Sequence, residues 1–286
     1  MKLFFSPQPA PAPASPKPRL EVFCSMLEGA SLERLEHSFA RRISLIRSRA
    51  QRRGAALPTV MLLAEDALSY RYQIQSEEVA SWADRLRRLL PADQWIALAF
   101  CVREKLNGHP SNTAYALSSD GVEMGPKRAL TRLDVRTLDR RRPVREEQQE
   151  FWIDRGLRLE GRPYPQLLTP DGLKLEIRVC ADAVCPPHKR DAADGTLVMA
   201  RGLNPLALPK LAARRRFVLV HDAHPPASPA APAALLEKVW FSNGSADLPP
   251  AFRQAGVRLY SPGPSPGAAD GGQIKAYKHL VAQTNP

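Results

Sequence analysis

The sequence is poor in cysteine, with four in 286 residues (Cys24, Cys101, Cys180 and Cys185). That scarcity excludes a disulfide scaffold for a chain of this length. No two of the four form a CxxC pair, and their spacing to the histidines is not that of a zinc site. Cys24 and Cys101 lie in apolar runs and are expected to be buried, inert thiols. No stretch approaches the roughly 20 apolar residues that cross a bilayer, and the apolar start Met1-Lys2-Leu3-Phe4-Phe5 is broken by Pro7 before it reaches the length of a signal-peptide core. The expectation is a soluble, cytoplasmic protein, with an export or delivery signal in the N-terminal leader left open. Aromatics are also few, at 7%. None is interleaved with the short arginine clusters (Arg41-Arg42, Arg52-Arg53, Arg87-Arg88, Arg140-Arg141-Arg142, Arg214-Arg215-Arg216) in the manner of a base-stacking platform.

What is present in excess is positive charge, +12 at neutral pH. The dispersal of the arginines reads as solvated helix faces rather than a nucleic-acid surface. Proline is plentiful, at 28 residues, and much of it falls in the first 18 residues and after Pro225. Residues 1–18 read as a Pro/Ala-rich flexible leader of extended polyproline character, 19–262 as one folded domain, and 263–286 as a C-terminal tail. There is no internal repeat.

Within the domain, Leu20 to Cys24 reads as a strand and Ser31 as the N-cap of a long helix. Leu32, Leu35, Phe39, Ile43 and Ile46 recur there every three or four positions, and the helix ends near Gly54. Thr59 to Leu63 has the pattern of a strand buried on both faces. Ser76 to Leu90 is a second amphipathic helix, with Ser76 as its cap and Pro91 as its stop. Trp95 to Val102 and Thr113 to Ser118 follow as strands, and Asp120-Gly121 signals a hairpin. A helix is possible across 144–152. Leu173 to Val179 alternates apolar residues with Lys174, Glu176 and Arg178, the period of a half-buried strand. Thr196 to Ala200 and Arg216 to His221 are further strands, with a helix within 206–215. Beyond Pro225 the signals weaken. The alternation of strands and helices predicts an α/β chain with one core and a mixed sheet.

Three titratable residues close predicted segments: Glu65 after VMLLA, Lys127 after the hairpin, and Cys180 after LKLEIRV. Ligands and reacting groups gather at the carboxyl ends of strands in open α/β sheets. A thiol, a carboxylate and an ammonium form a coherent set there, as nucleophile, proton acceptor and stabiliser of an oxyanion. Taken singly, each is more commonly a solvated carboxylate, a surface lysine or a small buried hydrophobe.

Read together with their flanks, the three blocks resemble the nitrilase, or carbon–nitrogen hydrolase, superfamily over residues 20–225. RGAALPTVMLLAEDALSY is similar to its catalytic-glutamate block, with Glu65 in that position. NTAYALSSDGVEMGPKRALTRLD is similar to its lysine block, with Asn112, Asp120, Gly121 and Lys127 in place. DGLKLEIRVCADAVCPP is similar to the strand and elbow of its nucleophile, with Cys180 there and Asp182 two residues on. The chain departs from the pattern at Ala64, where the family has proline, at Ala181, where it has an aromatic, and at Cys185, where a Phe-Pro-Glu run often begins. A second family glutamate could be Glu146, Glu147 or Glu150, among which spacing does not choose. Tyr70 and Tyr72 could line the pocket or pack structurally.

The resemblance implies a four-layer α-β-β-α sandwich with mixed sheets and a Glu65–Lys127–Cys180 triad. It implies hydrolysis of a small-molecule amide, in preference to a nitrile because of the Cys-x-Asp pattern, without metal or organic cofactor. It also implies a homodimer or higher homo-oligomer. The ammonium of Lys127 is expected to lower the pKa of the thiol. The alternative is the same fold kept as a catalytically weak binding or interaction module, which Ala64, Ala181 and the weak C-terminal third favour.

Overall fold

The computed structural model describes residues 19–25, 30–65, 67–68, 74–106, 109–128, 164–184, 193–201, 203, 208–222, 237–241 and 249–260. The leader, the tail, the possible helix at 144–152, Tyr70, Tyr72, Cys185 and the three candidate second glutamates lie outside these residues.

The first half builds one sheet and the layer that covers it. Strand β1 (Leu20–Ser25) leads into helix α1 (Leu32–Arg53). Ser31 Oγ accepts from the Arg34 amide at its start, and Gly54 ends it in the left-handed region at φ 66°, where the missing Cβ removes the steric cost. β2 (Thr59–Leu63), α2 (Ser76–Arg88), β3 (Ile96–Leu106), β4 (His109–Ser118) and β5 (Gly121–Pro126) follow. Ser76 is not the cap of α2. Gln75 occupies that position without a side-chain bond, and Ser76 is buried in the first turn. In the hairpin, Ser118 pairs with Gly121, so the two turn residues are Ser119 and Asp120, and Gly121 opens the return strand, whose extent the sequence reading did not give.

The second half builds another sheet: β6 (Gln166–Leu168), β7 (Lys174–Val179), a 3-10 turn (Cys180–Val184), β8 (Gly195–Ala200), α3 (Pro209–Ala213), β9 (Phe217–Asp222) and β10 (Val239–Phe241). Helix α4 (Pro250–Gln254) then returns the chain to the first sheet through β11 (Val257–Tyr260). The alternation taken alone suggests one mixed sheet; the chain has two, as the sandwich with mixed sheets requires, ordered β11-β1-β2-β3-β4-β5 and β10-β9-β8-β7-β6. In the first, β11, β1, β2 and β3 run parallel and β4 and β5 antiparallel. In the second, β10, β9, β8 and β7 are parallel and only β6 is antiparallel.

Side chains alternate across a strand, and the first sheet uses both faces. Phe23, Met61, Leu98, Phe100 and Tyr115 pack outward under Leu35, Phe39, Ile43 and Trp82 of the helices. Its inner face is small on β3 and β4 (Ala97, Ala99, Ala114, Ala116) and larger on β1 and β2 (Leu20, Val22, Val60, Leu62), and it meets Leu175, Ile177 and Val179 of β7 and Leu197 of β8 in a second cluster. The result is an α-β-β stack whose fourth layer is represented among the described residues by α3. No described helix is long and apolar enough to cross a membrane.

The half-buried reading of β7 is also corrected. Lys174 is exposed, but Glu176 and Arg178 are each 0% exposed. On the face of the second sheet turned away from the first, Glu176 accepts from Arg178 Nη2 at 3.0 Å, Arg215 Nη2 at 2.9 Å and Thr196 Oγ1 at 3.1 Å. Burial alone would raise the Glu176 pKa, but the hydrogen bonds and charges of the two arginines hold it below the usual carboxylate range. A charged alternation read as solvent-facing is therefore a buried ion network.

Candidate active site

Parallel strands point their carboxyl ends the same way, and β2, β7 and β8 bring theirs together where the two sheets face each other. Glu65 follows β2 by two residues, and its amide donates to the Ala200 carbonyl at the end of β8 at 3.5 Å. Its own carbonyl accepts from Cys101 Sγ on β3 at 2.8 Å. The backbone of Glu65 is thus tied to both sheets before its carboxylate makes any contact.

Lys127 follows β5, the far edge of the first sheet. Its amide donates to the Asn112 carbonyl at 2.7 Å, which carries the hairpin pairing one step past the end of the strand. Lys127 Nζ then reaches Glu65 Oε1 at 2.8 Å, and Asn112 Nδ2 donates to the same oxygen at 2.9 Å. Glu65 is 5% exposed and Lys127 3%. Neither position is the solvated strand-end acid or surface lysine that each residue type commonly is. A buried carboxylate and ammonium persist only when paired and further hydrogen-bonded, and Asn112 supplies that further bond.

Cys180 closes β7 and opens the 3-10 turn with φ 42°, the only positive φ at a non-glycine among the described residues. A backbone held in that region costs on the order of 1–3 kcal/mol and persists where its surroundings over-determine it. The bonds of the turn show how. Asp182 Oδ1 accepts from the Arg128 amide at 2.8 Å, and the Asp182 carbonyl accepts from Arg178 Nη1 at 2.9 Å. Cys180 Sγ lies 3.9 Å from the Arg201 carbonyl.

The thiol differs from expectation. Burial first, and then the Glu65 carboxylate, push its pKa up from 9.0 to about 12, while Lys127 and the Arg201 carbonyl pull the other way. The expected lowering by Lys127 is present but outweighed, so Cys180 rests as a neutral thiol beside a carboxylate. Cys24 and Cys101 are each 1% exposed against 8% for Cys180, and burial pushes both of their thiols up as well.

The structure thus brings Glu65, Lys127 and Cys180 to one place, joined there by Asn112 and Asp182. It also places Ala64 at 2% exposure beneath Glu65. The contribution of Arg178 was not visible in the sequence, because its alternation with Val179 suggested solvent. Among the described residues, no group of three or more His, Cys, Asp or Glu side chains is arranged to hold a metal ion. The arrangement can pass a proton from a thiol to a carboxylate while an ammonium stands by for negative charge.

No family model matches the chain, and the comparison with curated proteins gives no match. Among solved structures it is similar to a glutamine-dependent NAD(+) synthetase from Cytophaga hutchinsonii, at 13% identity and a TM-score of 0.34, over 62% of this chain and 29% of that one. It therefore spans less than a third of that protein. It is also similar to a CN-hydrolase superfamily protein from Xanthomonas campestris with an arsenic adduct in its active site, at 13% identity and a TM-score of 0.44, over 70% of this chain and 74% of that one.

Proposed function

We propose that the protein hydrolyses a non-peptide carbon–nitrogen bond, in an amide rather than a nitrile, through a thioester on Cys180. The observation that carries the reading is the buried Lys127–Glu65 pair at 2.8 Å set beside a thiol on a strained turn. A strained backbone, a buried ion pair and a perturbed nucleophile together mark a site of chemistry more strongly than any one of them.

The chemistry follows from the neutral thiol. As Sγ bonds to the amide carbon, its proton passes to Glu65 and the carbonyl electrons move to oxygen, where Lys127 stabilises the charge. Collapse of this intermediate breaks the C–N bond, and the departing nitrogen takes the proton from Glu65. Ammonia or an amine leaves, and a thioester remains. Glu65 then draws a proton from water as it attacks the thioester, and returns that proton to the departing sulfur. One amide and one water give one acid and one amine, with the enzyme restored. A general base is required because thiolate is scarce at neutral pH when the thiol pKa is near 12.

Ammonia release from a panel of small amides and nitriles, compared between wild type and Cys180→Ala, tests the reading. Release from amides that Cys180→Ala reduces to background is the expected result. Release unaffected by that change contradicts it. Self-association as a homodimer or higher oligomer belongs to the same proposal and is checked by light scattering. The 8% exposure of Cys180 favours the interaction-module alternative, for which no amide in the panel is cleaved.

A further inference from the structure

Lys127 and Cys180 come from different sheets, so something must fix the lysine segment against the cysteine turn. One link is direct, from the Arg128 amide to Asp182 Oδ1. A second is built from side chains around Tyr164. The Arg128 guanidinium lies 4.0 Å from the centre of the Tyr164 ring, and the Arg178 guanidinium lies 4.3 Å from it. Ring faces attract cations. Arg128 follows Lys127 directly. Arg178 stands two residues before Cys180 and donates to the carbonyl of Asp182, two residues after it.

The ring is itself anchored to both sheets. Next to it, the Pro165 carbonyl accepts from the Ile177 amide on β7 at 2.8 Å, and the Gln166 amide donates to Glu123 Oε2 on β5 at 2.7 Å. Pro165 also lies against Gly125 of β5 so closely that a Cβ there would come within 2.7 Å of its ring. Arg178 is held from the far side by Glu176 at 3.0 Å. The guanidinium is therefore the middle of an unbroken path from Glu176 to the turn carrying Cys180 and, through Tyr164, to the segment carrying Lys127.

We propose that Arg178, clamped between Glu176 and Tyr164, is a positioning residue that holds the Cys180 turn in register with the Lys127 segment. A planar guanidinium suits the task because it can stack on a ring face while its two amino groups donate in different directions, one to Glu176 and one to the Asp182 carbonyl. A lysine has no plane to stack. This inference adds a positioning residue to the site read above. Its test uses thiol labelling rather than turnover, so each can fail without the other.

The experiment alkylates the full-length protein with iodoacetamide across about pH 7–10 and maps the label on each cysteine by mass spectrometry. Melting temperatures are measured in parallel. In wild type, the labelling rate of Cys180 rises about tenfold per pH unit throughout, because its thiol stays protonated. In Tyr164→Leu the side-chain link is lost, and only the Arg128 amide bond to Asp182 Oδ1 still joins the turn to the lysine segment. Cys180 labelling then increases by roughly tenfold or more at neutral pH, and the profile bends over near the ordinary value of 9.0. Cys24 and Cys101 label as in wild type. Tyr164→Phe keeps the ring and the wild-type profile, whereas Arg178→Lys shows the released one. Should Tyr164→Leu not fold, Arg128→Gln, at a half-buried position, carries the same expectation. A wild-type Cys180 profile in a folded Tyr164→Leu or Arg128→Gln protein overturns the proposal. So does a parallel rise at all three cysteines, which marks general loosening rather than release of this turn.

Discussion

Two buried carboxylates divide the work of this molecule. Glu176 and Glu65 are both buried and both paired with cations. Both sit on or just after a strand. Around Glu176 the pairing is complete: Oε1 takes one arginine, and Oε2 takes a second arginine and a threonine hydroxyl. Around Glu65, one ammonium and one amide share a single oxygen, and the same carboxylate raises the proton affinity of a neighbouring thiol. A buried salt bridge is therefore no signature of a site. The distinguishing features of Glu65 are a nucleophile beside it, and a strained backbone under that nucleophile, where Glu176 has only donors. The first arrangement can do chemistry, and the second holds a sheet together.

The sharpest way to break this comparison is to remove one charge from each cluster. Lys127→Ala should lower kcat on a cleaved amide by about 100- to 1000-fold, the cost of losing one oxyanion donor, with a much smaller change in KM. Lys127→Arg should not restore it, because a planar guanidinium does not fit where a compact ammonium contacts Glu65 at 2.8 Å. Steady-state kinetics on the three proteins decide the matter, and an active Lys127→Ala enzyme breaks the comparison.

The second effect is on stability. Glu176→Gln leaves Arg178 and Arg215 buried without their carboxylate, and breaking a buried ion cluster in this way costs about 3–5 kcal/mol. Urea unfolding should show a lower midpoint with an unchanged slope. Wild-type stability in Glu176→Gln would mean that the network is not structural.

A smaller and pH-dependent effect lies at the same rim, on the side away from Cys180. His221 on β9 donates through Nε2 to the Ser25 carbonyl at 2.7 Å. Burial above all lowers its pKa from 6.5 to about 4, against the pull of that bond and with help from the Arg42 charge. A depressed histidine contributes stability fully above pH 6.5 and loses it as pH falls from 6.5 to 4. The loss is about 3 kcal/mol. His221→Gln should remove most of this dependence when unfolding free energies are compared at the two ends of that range, and equal pH dependence in the two proteins would rule it out.

Glu104 runs the opposite way and is the smallest effect. It is 0% exposed under α2 and accepts from the Tyr115 hydroxyl at 2.7 Å. Burial raises its pKa from 4.5 to about 6, although bonds from Thr113 and Tyr115 resist. Its stabilising contribution is full below pH 4.5 and lost as pH rises through 6. Glu104→Gln should therefore gain about 2 kcal/mol over wild type above pH 7 and little at pH 4.5. Thermal unfolding at both pH values checks it, with no gain above neutrality counting against it.

The parts of the fold that were legible in the sequence are those with local causes. β2 spans Thr59–Leu63 as its continuous apolar run implied. α1 has the cap, stripe and terminal glycine that the spacing indicated. Ser76, Glu77 and Glu78 mark the start of α2 but misplace its cap by one residue. The missed strands have non-local causes. β10 and β11 are three and four residues long and exist because β9 and β1 offer edges to pair with, which no local period records. β5 is an edge strand with little buried surface.

For the site, Glu65 and Cys180 close apolar strands and Lys127 follows the hairpin, but the three stood out as a set only through the resemblance of their flanking blocks. Asn112 stood out only through the resemblance. Arg178 did not stand out at all, since period two in charge says which residues share a face and not what covers it. The direction of the Cys180 shift also depends on burial, which a neighbouring lysine in the sequence does not reveal.

The central claim is that Cys180 forms a thioester with the acyl part of an amide. Mass spectrometry of the full-length protein, quenched in acid during turnover of an amide that it cleaves, tests it most directly. The account predicts a mass increment equal to the acyl group on the peptide containing Cys180. That increment should be absent in Cys180→Ala and strongly reduced in Lys127→Ala. Acyl transfer to Cys24 or Cys101, or continued amide cleavage by Cys180→Ala, would contradict it.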